Sequence, residues 1–307
     1  MNSIFQTHEW EGFRLKAGYQ KSYWVENILV LQKNLPLGRS MLYSPRVSKD
    51  QWSSVSDRFI EEIQRIGNEN SSIFYRLELD SPESDSSLLR AHDLKKSFEE
   101  MQPEHSLILD ISKTEEEILA QMKQKGRYNI KIAKKNDIAI EYSTDRGEIL
   151  DQFYGLYSTM ASRHGITHRN KNYFEKLIEF LGEKDYARCY IATVKENKTK
   201  IPVAGAIATF YNGAAIYLYG GSADNFRNLM APYILHWQMI LDAKEKNCKK
   251  YDFFGIAPTE DPKHPWAGVT RFKRQFGGEE EHILGSYDLL LKPIEYQIFK
   301  VAEKIRR

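Results

Sequence analysis

A chain of 307 residues, 41% hydrophobic and 28% charged, has the composition of a globular protein and room for two domains. Its net charge of +2 excludes a uniformly basic nucleic-acid binder, so any phosphate recognition must come from local patches. Two separated cysteines, Cys189 and Cys248, lack metal-ligand spacing. No stretch approaches the roughly 18 apolar residues of a membrane span, and the opening MNSIFQTHEWEGFRLK lacks the apolar core of a signal peptide. A cytoplasmic location is expected.

In chain order, YWVENILVLQK and RSMLYSPRV read as strands around the turn NLPLG. QWSSVSDRFIEEIQRIG follows as a helix, with Phe59, Ile60, Ile63 and Ile66 on one face and Gly67 past its end. SSIFYRLELD alternates as a strand, SPESDSSLLRAHD starts a short helix, and HSLILDI is an apolar strand. A capping box from Ser112 to Glu115 opens a long helix that continues through KQKGRYNIKIAKKN. IAIEYST is a strand, and EILDQFYGLYSTMASRHG and NKNYFEKLIEFLGE are helices.

ARCYIATVKE, PVAGAIATFYN and AAIYLYGGS form a three-stranded meander with Asn-Lys and Asn-Gly turns; Tyr217 and Tyr219 are expected on one face. APYILHWQMILDAKEKN is a helix with Pro232 in its first turn, and YDFFGI a buried strand. WAGVTRFKRQFGGEE is a helix with Val269, Phe272 and Phe276 on one side, stopped by Gly277. HILGSYDLLLKP is a strand and IEYQIFKVAEKIRR a closing helix. Strands and helices mix in both halves, which makes the fold α/β (α+β) in two domains.

G-x-S-x-G, H-E-x-x-H and P-loop patterns are missing, and the His164/His168 pair has no third ligand nearby, so neither a triad hydrolase nor a zinc site is expected. Lys123, Lys125, Arg127, Lys131, Lys134 and Lys135 make one basic helix, which is either a solvated face or a phosphate-contacting surface. Between two helices lie Arg163, His164, Arg169 and Tyr173. Here Arg offers a planar fork for phosphate, or Arg163 and His164 cap a helix that Gly165 ends. YLYGGSADNF ends a strand in two glycines that allow close approach, but no Gly-rich pyrophosphate loop follows, which argues against coenzyme A.

Taken together, FQTHEWEGFR, RYNIKIAKK, SRHGI with RNKNYF, YLYGGSADNFRNLMAPYILHWQMILDAKEKNCKKYDFFGIAP and GVTRFKRQFGGE appear in an order that resembles the FemABX family along nearly the whole chain. The resemblance implies two tandem GNAT-like acyltransferase domains: residues 1–114, completed by 287–307, and residues 115–286, with the C-terminal helix packing back on the first. It also implies a cytoplasmic, monomeric peptidyltransferase with no bound cofactor. Aminoacyl-tRNA would donate an amino acid to the side-chain amine of a peptidoglycan precursor, UDP-MurNAc-pentapeptide or lipid II. The long two-helix arm of many members has no counterpart between Lys171 and Cys248, as in the short branch that acts on the nucleotide precursor.

By the same resemblance, Lys273 and Phe272 sit at the aminoacyl ester and Asp80 orients or deprotonates the incoming ammonium. Arg14, Tyr75, Arg169, Tyr173 and Tyr219 bind the acceptor, while the basic helix holds tRNA or faces a membrane. Other amine or hydroxyl acceptors, such as a protein N-terminus or a lipid, and a non-catalytic glycan- or RNA-binding role are the alternatives.

Overall fold

The computed structural model describes residues 2–89, 93–163 and 168–306. They form two compact units, residues 1–104 with 282–307 and residues 105–281. These boundaries differ from the expected 114/115 and 286/287. The strand at 105–110 pairs inside the second unit, and the strand starting at Glu279 pairs inside the first from Ile283 onward.

The first unit contains α1 (His8–Lys16), β1 (Lys21–Val25), β2 (Ile28–Leu35), β3 (Arg39–Ser48), α2 (Lys49–Ser53), α3 (Asp57–Glu69), β4 (Ser72–Pro82) and β5 (Lys95–Lys96). The segment YWVENILVLQK is thus a hairpin, β1–β2, rather than one strand. Likewise QWSSVSDRFIEEIQRIG splits into α2 and α3. Ser48 caps α2 with a complete capping box, and Ser56 opens α3. Helix α3 runs past Gly67, because that position packs instead of terminating: a Cβ there would lie 2.3 Å from Leu291 Cδ1. Phe59, Ile63 and Ile66 of α3 are buried against Leu42, Tyr75 and Leu77 of the sheet. β3 and β4 pair in parallel through this crossover.

The second unit contains β6 (His105–Asp110), α4 (Glu115–Gln121), α5 (Gln124–Lys135), β7 (Ala139–Ser143), α6 (Glu148–Arg163), α7 (Lys171–Gly182), β8 (Ala187–Glu196), β9 (Thr199–Tyr211), β10 (Ala214–Ser222), α8 (Ala231–Glu245), β11 (Lys250–Gly255) and α9 (Ala267–Lys273). The long helix expected from Ser112 breaks at Met122–Lys123 into α4 and α5. Its capping box is Thr114–Glu117, while Ser112 bonds to Asp110 instead. The meander β8–β9–β10 forms as expected, and β10 pairs in parallel with β11 through α8. Buried Ala204, Ala206 and Ala208 with Gly205 keep the centre of β9 thin. Helix α6 can therefore pack closely on one face and α8 on the other.

β12 (Glu279–Leu290) returns to the first unit beside β4, and α10 (Pro293–Arg306) closes the chain there. Phe74 of β4 meets Tyr296 and Phe299 of α10 at ring-centroid distances of 5.3 and 5.6 Å, so the C-terminal helix packs on the first unit as expected. Both units share one order: an antiparallel meander, a crossover helix, a parallel strand, and an antiparallel neighbour supplied from elsewhere in the chain. Among the described residues, no helix is long and apolar enough to cross a membrane.

Candidate active site

The strand β10 divides the second unit's chemistry. A bulge shifts its register between Tyr217, opposite Ala208, and Tyr219, opposite Ile207. The extra residue, Leu218, resets the alternation. Tyr217 and Tyr219 therefore point to opposite faces, which corrects the expectation of one shared face. Tyr217 packs on His236 of α8 at 4.5 Å, whereas Tyr219 packs on Phe174 of α7 at 5.0 Å. The two glycines that follow allow the expected close approaches. A Cβ on Gly220 would lie 2.1 Å from the Tyr217 hydroxyl, and one on Gly221 would lie 2.9 Å from the backbone of α6 at Tyr157.

On the α8 face, a cavity of about 340 Å³ is walled by Val203 to Ala206, Tyr217, Gly220 to Ala223, Tyr233, His236, Val269 and Phe272, with Arg163 and Arg227 at its rim. Both arginines pair with Asp224. Lys273 does not line this cavity. The residue is only 5% exposed, and its ammonium lies 5.6 Å from the centroid of Tyr217, which does. It donates to the Gly255 carbonyl at 2.6 Å and, more weakly, to that of Phe254 at 3.4 Å.

These carbonyls are presented by an unusual backbone. Phe254 is a non-glycine residue at φ 61°, and its N–H donates to Asp252 Oδ1 at 2.6 Å. Strain of this kind persists only where the surroundings over-determine it. Burial lowers the Lys273 pKa to about 8, opposed by the charge of Asp252. Burial and the Lys273 charge hold His236 near 3, so it is a neutral imidazole; its Nδ1 lies 2.9 Å from the Tyr251 hydroxyl. The site is thus a buried cation set among rings.

On the α7 face, Arg169 stacks 5.0 Å above the Tyr173 ring, and the Tyr173 and Tyr219 hydroxyls are 2.9 Å apart. Asn170 caps α7 by accepting from the N–H of Tyr173, which fixes that ring's starting angle. Arg169, Tyr173 and Tyr219 therefore form one cluster, with the guanidinium exposed. His164 and Gly165 lie outside the described residues. Arg163 is paired with Asp224, an interaction no helix-capping role requires.

The basic helix is mostly exposed. Lys123, Lys125, Lys131, Lys134 and Lys135 face outward, whereas Arg127 is half-buried and donates to the Met122 carbonyl. Tyr128 is 62% exposed among these cations. Arg271 is exposed, and Arg274 is bound to Glu260 and Glu280, so both serve the surface of the unit.

The first unit places its candidates differently. Arg14 stacks 4.6 Å above the Tyr19 ring, in a polar group that includes Tyr43, Arg46 and Glu78. Asp80 accepts from Arg46 at 3.1 Å and remains 40% exposed. Tyr75 has no exposed surface and packs 6.0 Å from Phe59 in the core, so the expected ligand contact is corrected to a core role. Its alternating strand pattern pointed inward, as that of a core residue does.

Sequence reasoning missed His236 and Phe254. A histidine within APYILHWQ carries no spacing signal, and a left-handed phenylalanine in YDFFGI none at all.

Two α/β units, each with a meander and a crossover helix, and a pocket beside a bulged strand make up the architecture. The FemAB family model matches residues 89–198 and 185–304, and the chain belongs to the FemAB family. It is similar to a lipid II:glycine glycyltransferase of Staphylococcus haemolyticus, with 22% identity over 260 residues, 65% of this chain and 62% of the relative. It is also similar to a UDP-N-acetylmuramoylpentapeptide-lysine N(6)-alanyltransferase of Weissella viridescens, with 31% identity over 192 residues, 60% of this chain and 54% of the relative. The chain spans less than two thirds of the length of these curated relatives. Among solved structures, FemX shares the fold at a TM-score of 0.84 and 19% identity, covering 97% of this chain and 94% of that one.

Proposed function

We propose that this protein is an aminoacyltransferase that moves an amino acid from aminoacyl-tRNA to a side-chain amine of a peptidoglycan precursor, nucleotide- or lipid-linked. The observation that carries this reading is Lys273, a buried cation next to a cavity walled by Phe272 and Tyr217.

In the reaction, the acceptor nitrogen forms a bond to the ester carbonyl carbon. The carbonyl oxygen becomes an oxyanion, the bond to the tRNA ribose breaks, and the proton lost by nitrogen is balanced by one gained at the ribose oxygen. Such an activated ester needs orientation and charge stabilisation rather than a covalent intermediate. Lys273, protonated at neutral pH but with its pKa brought down to about 8, suits both stabilising the oxyanion and releasing a proton to the ribose oxygen. The low-dielectric surroundings strengthen its field at the cavity.

In this reading the exposed guanidinium of Arg169 meets the diphosphate of the precursor, with Tyr173 and Tyr219 beside it. Arg14 and Asp80 of the first unit are assigned to acceptor binding only by the family resemblance. No bound cofactor takes part. The exposed lysines of α5 contact tRNA phosphates.

Purified protein given radiolabelled aminoacyl-tRNA and, in separate reactions, the nucleotide-linked and the lipid-linked pentapeptide should transfer label to one acceptor. Lys273→Met should lower turnover by about 10²–10³-fold. Absence of transfer to both acceptors would overturn the reading.

A further inference from the structure

Helix α10 buries one side in the first unit through Tyr296 and Phe299. Its opposite side carries Ile294, Ile298, Val301 and Ile305, which are 80, 64, 57 and 81% exposed. Their spacing of four, three and four residues keeps them in one stripe along the helix. An amphipathic helix ordinarily turns such a stripe inward. This one has a second apolar face that nothing among the described residues covers.

A second, independent feature lies beside it. The β2–β3 hairpin turns at Leu37-Gly38, with φ of 60° and 66°, and the Arg39 N–H bonds back to the Pro36 carbonyl. Turns whose two central residues both have positive φ favour Asn or Asp before Gly. Here the position holds leucine, 94% exposed, in a conformation that a side chain with a Cβ adopts only at an energetic penalty. Arg39 pairs with Glu295 at 2.5 Å, which ties this tip to the first turn of α10, next to Ile294.

The surrounding charge is cationic. Between residues 292 and 306, Lys292, Lys300, Lys304 and Arg306 outnumber Glu295 and Glu303, and both carboxylates are already paired with arginines. We infer that the stripe of α10 and the Leu37 tip form a docking surface for an anionic lipid bilayer. The apolar side chains enter the headgroup boundary, and the cations meet lipid phosphates. A second copy of the chain is a poorer occupant. The stripe spans only about 16 Å of helix. At one helix width of about 10 Å it covers roughly 160 Å², well short of the roughly 800 Å² per partner of a standard interface, and like charges would face each other across it. The inference concerns where the protein resides and holds whichever acceptor the site uses.

Vesicle flotation with the full chain tests it, using phosphatidylcholine alone and phosphatidylcholine mixed with phosphatidylglycerol. The protein should float with the anionic vesicles and about tenfold less with the neutral ones. Ile298→Asp with Val301→Asp should reduce flotation about tenfold. Leu37→Asn, which suits the turn better, should reduce it severalfold while the melting temperature holds or rises. Transfer to a soluble acceptor should be unchanged in these variants, which separates this test from that of the reaction. The inference is overturned by absence of flotation with anionic vesicles, by variants that float like the parent, or by a dimer in sedimentation that Ile298→Asp dissociates.

Discussion

Lys273→Met separates the residue's chemical role from its structural one. The side chain is almost fully buried, and its pKa falls from 10.5 to about 8 through loss of hydration. Keeping it protonated in the folded protein therefore costs about 3 kcal/mol at pH 7. Methionine removes that penalty but leaves the Gly255 carbonyl without its donor, a loss of about 1–3 kcal/mol. The two effects nearly cancel, so the variant should unfold in urea within about 2 kcal/mol of the parent at pH 7.

The difference should also depend on pH. The folded pKa lies below the unfolded one, so between about pH 8 and 10.5 the unfolded chain binds the proton more tightly. The contribution of Lys273 to stability rises across that window in the parent only. The parent should gain about 2 kcal/mol over the variant between pH 7 and pH 9.5. Urea titrations at both pH values measure this directly. A pH-independent difference, or a loss above about 4 kcal/mol at pH 7, would show that Lys273 is a structural tie and would refute the account of it as a tuned cation.

Other expectations follow from the same geometry. Arg169→Ala should raise the KM for the acceptor about tenfold and leave kcat unchanged, because the exposed guanidinium contributes uniform binding; an equal loss in both parameters would contradict that. Replacing Lys131, Lys134 and Lys135 by alanine should weaken tRNA binding and flatten its log–log salt dependence by about 2–3, read from filter binding over a salt series. Asp288→Ala should destabilise the first unit by about 2–3 kcal/mol in urea unfolding, since it removes two of the buried Arg76's three carboxylate bonds, at 2.7 and 2.8 Å, and leaves the one to Glu99. Gly277→Ala should lose more than about 1 kcal/mol, because φ there is 78° and the new Cβ would fall 2.2 Å from the Gln121 carbonyl oxygen.

Much of this architecture could be read from the sequence where the signal is local and periodic. The stripe of Phe59, Ile63 and Ile66, the Asn-Lys and Asn-Gly turns of the meander, and Pro232 at the start of α8 each act within a few residues. The capping box was harder, because Ser112–Glu115 and Thr114–Glu117 both fit the pattern. The reciprocal bonds of Thr114 and Glu117, with Ser112 turned to Asp110 instead, distinguish them. Gly67 looked like a terminator, but what requires glycine there is Leu291, more than two hundred residues further along the chain.

Of the residues singled out in the sequence, Phe272 walls the cavity, Lys273 lies beside its Tyr217 wall, and Arg169 stacks on Tyr173. The conditions that shape the site were not legible in the sequence. The left-handed turn at Phe254 and the neutral state of His236 arise from burial and register, which a one-dimensional pattern does not carry.

One inserted residue has an outsized effect on how this chain can change over evolutionary time. Because Leu218 switches the phase of β10, a single strand faces two separate selective pressures: Tyr217 answers to the pocket beside Lys273, and Tyr219 to the cluster with Arg169. Substitutions on one side can accumulate without disturbing the other. Deleting Leu218 would merge both faces and remove that independence.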